Sequence, residues 1–137
     1  MTPLRPTPLF AGLLVAAVLA GCGPSGPRYH EVTGTVTLDK GKPLPDGAIL
    51  FEHQPTADAS YGPDYGLIKN GQFKLKVKEG LHKVRITADT DIPDQKDMYG
   101  NPLRKNYIQP KYNNDSTLTA DVNAGSTTFT FEVEPVR

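Results

Sequence analysis

From Tyr29 onward the apolar side chains recur at every second position, a period that fits β-strands and not helices. His30, Val32, Gly34, Val36 and Leu38 alternate with Glu31, Thr33, Thr35 and Thr37, the pattern of a strand buried on one face. Ala48 to His53 is expected as a second strand and Tyr65 to Lys69 as a third. Asn70-Gly71 is a strong hairpin signal, because both residues tolerate positive φ. Beyond it Phe73, Leu75 and Val77 face inward while Lys74, Lys76 and Lys78 face out. Val84, Ile86 and Ala88 then alternate with Lys83, Arg85 and Thr87. A long loop is expected from Asp89 to about Asp115, followed by Leu118, Ala120 and Val122 on one face. The turn Asn123-Ala124-Gly125-Ser126 leads into Phe129, Phe131 and Val133. Seven short strands, each with one buried face, predict an all-β domain: a seven-stranded immunoglobulin-like sandwich over residues 29–137. The 13 glycines and 13 prolines, with no tryptophan, suit many turns between short strands.

The first residues follow another logic. Leu9 to Ala20 is an unbroken apolar run behind a short segment whose one cation is Arg5. Twelve residues make a helix of about 18 Å, short of a hydrocarbon core of about 30 Å. Residues 1–21 are therefore expected to be a signal-peptide helix that is removed, rather than a membrane span. The run ends in Leu19-Ala20-Gly21-Cys22, which resembles the lipobox of bacterial lipoprotein precursors. That resemblance implies signal-peptidase recognition of Leu19, Ala20 and Gly21, with a diacylglyceryl group on the thiol of Cys22. The alternative is an ordinary secretory leader with a chance cysteine. Cys22 is the chain's single cysteine, so no disulfide can brace the domain. Residues 22–28 then form the lipidated Cys and a Gly/Pro tether. Six residues, Gly23 to Arg28, reach at most about 20 Å.

Val32-Thr33-Gly34-Thr35-Val36 followed by Gly41-Lys42-Pro43-Leu44-Pro45-Asp46-Gly47-Ala48 resembles the opening of carboxypeptidase regulatory-like domains, which are transthyretin-like sandwiches. Asn70-Gly71-Gln72-Phe73 is similar to their Asp-Gly-x-Phe hairpin. Gly80-Leu81-His82-Lys83-Val84-Arg85-Ile86 is similar to their Gly-x-Tyr-x-Val-x-Ile strand, with His82 where an aromatic is usual. With Pro110 to Asn113 and Ser116 to Ala120, the resemblance is to short planctomycete-type envelope lipoproteins and covers nearly the whole chain after the leader. It implies fold and location, not an activity. A related hydrolase of purine breakdown carries a C-terminal Tyr-Arg-Gly-Ser signature, and this chain ends Phe131-Glu132-Val133-Glu134-Pro135-Val136-Arg137 instead.

Candidate chemistry is sparse. Lys+Arg and Asp+Glu both total 15, so there is no basic excess to hold nucleic acid. Asp89, Asp91, Asp94 and Asp97 crowd one loop, but their spacing is no EF-hand and Lys96 lies among them. Solvated loop carboxylates are the simpler reading. His30, His53 and His82 have no metal-ligand spacing, although two of them could meet across a sheet. No nucleophile elbow is present, so no catalytic residue, metal or cofactor is expected. If the strands either side of Glu79-Gly80 form a hairpin, Lys76 opposes Lys83 and Lys74 opposes Arg85, a stripe suited to an anionic ligand. Guard lysines on exposed strands, or two strands in separate sheets, explain the same residues without a ligand. Tyr61 and Tyr99 lie in loops long enough to contact a protein or polysaccharide, whereas Tyr112 resembles a structural tyrosine corner. The expectation is a non-catalytic binding or scaffolding lipoprotein of the cell envelope, held to the membrane by its lipid; a purely structural coat lipoprotein is the first alternative and an enzyme of unknown type the second. Gly23 follows Cys22 where some Gram-negative bacteria place an inner-membrane retention Asp, which leans toward the outer membrane.

Overall fold

The computed structural model describes residues 23, 26–54 and 61–137. The expected signal helix, Leu19, Ala20, Gly21 and Cys22 lie outside these residues, as does most of the 54–64 loop. Among the described residues ten strands run in order: β1 (Tyr29–Leu38), β2 (Lys42–Pro43), β3 (Asp46–His53), β4 (Asp64–Lys69), β5 (Gln72–Lys78), β6 (Gly80–Thr87), β7 (Asp89–Lys96), β8 (Pro102–Asn106), β9 (Thr119–Val122) and β10 (Thr128–Val133). A single 3-10 turn at Pro110–Tyr112 is the one helical element among the described residues. None of those residues forms a helix long and apolar enough to cross a membrane.

All seven expected strands are present, as β1, β3, β4, β5, β6, β9 and β10. The main sheet has the order β10-β1-β5-β4-β3-β6-β9, with the two-residue β2 beside β1. Its pairings are antiparallel except for β1 with β10, which is parallel. The sheet cannot be flat. Phe51 on β3 and Phe129 on β10 are four strands apart, a distance of about 19 Å across a flat sheet, yet their ring centroids are 6.3 Å apart. Phe51 also meets Phe73 of β5 at 6.2 Å. The sheet therefore curls over on itself into a sandwich-like all-β fold, with β10-β1-β5 facing β4-β3-β6-β9 across the core.

The bend lies between β4 and β5. Those strands pair only beside their Asn70-Gly71 turn, at Ile68 with Phe73 and Lys69 with Gln72, and then part. Gly66 helps them fold together, since a Cβ there would stand 3.2 Å from the Leu75 side chain. Inside, Val32, Val36, Ile49, Phe51, Ile68, Val77, Val84, Ile86 and Val122 lose all contact with solvent. Val32, Val36, Val77, Val84, Ile86 and Val122 are inward positions that the alternation marks, whereas Ile49, Phe51 and Ile68 lie on strands to which the sequence assigned no face. Leu118 and Phe129 are half-buried against the same core.

Two sequence expectations are corrected. The segment 89–115 is not a loop, because Asp89–Lys96 and Pro102–Asn106 form a separate two-stranded ribbon. The like-charge hairpin does not form either. Only Glu79 separates β5 from β6, and Gly80 at φ +125° carries the chain from one wall of the sandwich to the other. That backbone region disfavours any side chain. Lys74 therefore pairs with Glu31 at 2.9 Å and Arg85 with Glu52 at 3.1 Å, the latter off the line of the N–H bond. Lys76 lies opposite Glu31 in the ladder and Lys83 opposite Glu52. The four cations form no single stripe: each wall alternates charges across its own strands, the favourable arrangement.

Phe51 contacts both walls, so Phe51→Ala is expected to cost about 3–5 kcal/mol, a large part of the 5–15 kcal/mol typical of a domain. Urea denaturation of the two proteins measures it. A loss below 1 kcal/mol would mean that the ring does not hold the walls together.

Candidate functional site

Strand direction divides the surface into two poles. β1 starts where Tyr29 lies opposite Lys78, and the backbone N–H of Glu79 donates to the Arg28 carbonyl there at 2.8 Å. This is the N-terminal pole. β3 ends at it, β6 begins at it and β9 finishes at it, since His53 pairs with His82 and Gly80 with Val122. Tyr61 belongs here too, with the Lys78 ammonium 4.0 Å above its ring. β6 climbs to Thr87 at the opposite pole, where the β7–β8 ribbon is rooted and carries Tyr99. An eight-residue strand spans about 26 Å. Tyr61 thus sits at one pole, and the ribbon that carries Tyr99 is rooted at the other.

The ribbon is an arm. β8 is exposed along its whole length, and in β7 only Ile92 is half-buried. An isolated two-stranded hairpin is marginal in water, so local devices must hold it. Asn106 clamps the base, its side-chain carbonyl accepting from the N–H groups of Ala88 at 3.2 Å and Ile108 at 3.0 Å. Arg104 pairs with Asp91 at 3.2 Å. A bulge interrupts the ladder between Asp91 and Lys96, where Asp94 has φ +58°. At the tip Asp97 accepts from the N–H of Tyr99 at 2.8 Å and of Asn101 at 2.9 Å. Hydrogen bonds from Asn101, side chain first and then backbone, hold the Asp97 carboxyl below its ordinary range. Of the four clustered aspartates, Asp97 thus caps a turn and Asp91 holds a partner strand. No group of three or more His, Cys, Asp or Glu side chains converges among the described residues.

The arm's tip is apolar and bare: Met98 is 88% exposed and Tyr99 83%. Beside its base a cleft of about 340 Å³ is lined by Asp46, Tyr65, Leu67, Lys69, Asp89 and Arg104, among others. A second cleft of about 610 Å³ shares Leu67 and Lys69 on its way toward β1 and β5. Tyr65 and Leu67 are both more than half exposed on the outer face of β4. Sequence reasoning passed over this face. The signal was Tyr65-Gly66-Leu67-Ile68, a strand apolar on both sides where its neighbours alternate. The arm's signals were Asp97 ahead of Gly100-Asn101 and the opposite charges now paired as Asp91 and Arg104. Tyr112 is half-buried against the core.

The histidines meet as well. His53 and His82 face each other across β3 and β6 with ring centroids 5.2 Å apart. His82 is fully buried; its Nδ1 lies 2.9 Å from the Gly80 carbonyl, so that nitrogen carries the hydrogen and donates it. Among the described residues its Nε2 has no partner. Protonation would add an N–H there that no described residue accepts. Burial first, then the neighbouring His53 and Lys78, push the His82 pKa down, against the Gly80 bond and Asp64, which raise it.

No family model, curated protein or solved structure matches the chain.

The unfolded chain takes up the His82 proton more readily than the folded one, so stability falls as pH drops below about 6.5 and keeps falling toward the depressed folded value. Urea midpoints at pH 7 and pH 5 should show this loss, and His82→Phe should reduce it. An unchanged pH dependence in that variant would assign the loss to other groups.

Proposed function

We propose that the chain is a lipid-anchored protein of the bacterial cell envelope, a non-catalytic binding module that presents the β7–β8 arm to a partner. The support for the anchor is Leu19-Ala20-Gly21-Cys22 at the end of an apolar run, followed by a short Gly/Pro tether. The support for binding is the arm itself. A ribbon that buries almost nothing adds little to folding, and ordering its backbone costs about 1–2 kcal/mol per residue. Met98 and Tyr99 at its tip are apolar surface of the kind that interfaces cover.

The partner is a protein or polysaccharide of the envelope. Tyr99 on the arm, with Tyr65 and Leu67 beside the cleft at its base, offers flat apolar surface flanked by Asp46, Lys69, Asp89 and Arg104. Rigid aromatic surface with polar neighbours suits both kinds of ligand. The sandwich belongs by this reading to the immunoglobulin-like, transthyretin-like type, as the order of the Val32–Val36, Gly41–Ala48 and Asn70–Phe73 motifs suggests. Gly23 after the lipidated cysteine favours the outer membrane.

Two measurements test this. Cys22→Ser should leave the leader uncut at that site and move the protein from the detergent phase to the aqueous phase on Triton X-114 separation; unchanged partitioning would remove the anchor. A photo-crosslinker in place of Tyr99 should trap a partner in intact cells, and Met98→Ala with Tyr99→Ala should weaken the partner's capture while shifting stability by only about 0.5 kcal/mol. If position 99 traps nothing, the arm is not the contact.

A further inference from the structure

We infer that the N-terminal pole is a membrane-contact surface: Tyr29, Tyr61 and Leu81 rest at the lipid–water boundary and stand the domain upright, with the arm rooted at the pole away from the bilayer. This rests on the lipid anchor proposed above. Three observations carry it.

The first is where the tether ends. The Arg28 carbonyl is bonded to the Glu79 N–H at this pole, so the chain enters the domain at a fixed point. Cys22 is six residues earlier and at most about 20 Å away along an extended chain. A lipid on Cys22 would hold this pole against the bilayer and keep the other about 26 Å farther out.

The second is what the pole exposes. Tyr29 is 47%, Tyr61 42% and Leu81 48% exposed, on three different segments that end at the same pole. Tyrosine and leucine at one end of a domain match the chemistry of an interface, where a ring lies among headgroups with its hydroxyl in water. The Lys78 ammonium lies 4.0 Å above the Tyr61 ring, so its cation sits beside that ring at headgroup level.

The third is the charge balance. Arg28 and Lys78 share the pole with Asp64, Glu79 and Asp121. Asp64 accepts from the Lys78 backbone N–H at 2.9 Å, and Glu79 lies 2.7 Å from His30. With cations and carboxylates nearly balanced, the contact does not depend on anionic lipid. The occupant is the bilayer interface in general, a zwitterionic one included. Three side chains are too few to hold a soluble domain there, so the contact orients a protein that the lipid already retains.

The absence of tryptophan from the chain gives a clean test. Leu81→Trp, Tyr61→Trp and Tyr99→Trp each place one reporter in the full lipidated protein, reconstituted in phosphatidylcholine vesicles with brominated acyl chains. All three positions are exposed, and thermal melts check the fold of each variant. Trp at 81 and at 61 should lose about half its emission to bromine, as expected for rings seated about 5–10 Å into the headgroup–acyl boundary. Trp at 99 should lose none. Protein that floats with the vesicles but is unquenched at 61 and 81, or is quenched at 99, overturns the orientation and leaves the anchor standing. Protein that does not float overturns the anchor, and the orientation with it.

Discussion

Closure of one sheet over an aromatic centre is the constraint on which the rest of this molecule depends. The chain has a single cysteine, ahead of the domain, so no disulfide ties the walls together. Phe51 reaches Phe73, Phe129 and His82 from the middle of β3, and Phe131 stacks against Phe73 and Phe129. Burial of these rings, with the valines and isoleucines around them, is what keeps the sheet curled. The parting of β4 from β5 after two ladder pairs and the missing side chain at Gly66 let the bend form.

That closure explains the charge pattern of the surface. Once Gly80 has sent β6 to the opposite wall, the lysines of β5 and the basic residues of β6 no longer face one another. Each set finds a carboxylate on its own wall, Glu31 in one case and Glu52 in the other. These pairs are exposed or half-exposed, and such pairs contribute little to stability. Their consequence is that the basic residues of β5 and β6 face carboxylates on their own walls rather than one another.

The same arch gives the domain two chemically different ends. At the N-terminal pole the chain enters, a lysine stacks on Tyr61, and two histidines meet, one of them sealed from water and held neutral. At the far pole the arm leaves the sandwich through the Asn106 clamp and ends in bare Met98 and Tyr99. On the proposed anchor, these two ends would give the domain a direction, with the N-terminal pole at the bilayer and the arm's root at the far pole.

Strand existence and facing were legible in the sequence because period-two alternation is a local consequence of half-burial. Val32, Phe73, Val84 and Phe131 could be assigned to the core one strand at a time. The turns at Asn70-Gly71 and Asn123 to Ser126 were equally local. Strand order was not legible, since alternation says which side of a strand is buried but not which strand lies beside it. The crossover at Gly80, the meeting of His53 with His82, and the placing of Tyr61 and the arm's root at opposite poles depend on contacts between residues far apart in the chain. The arm escaped notice for the converse reason: β7 and β8 bury almost nothing, so they carry no alternation to read. The sequence by itself determined that the chain is β and which faces are apolar; only the tertiary structure decided how the sheet closes and which surface residues share an end, because those depend on the bend between β4 and β5 and not on any one strand.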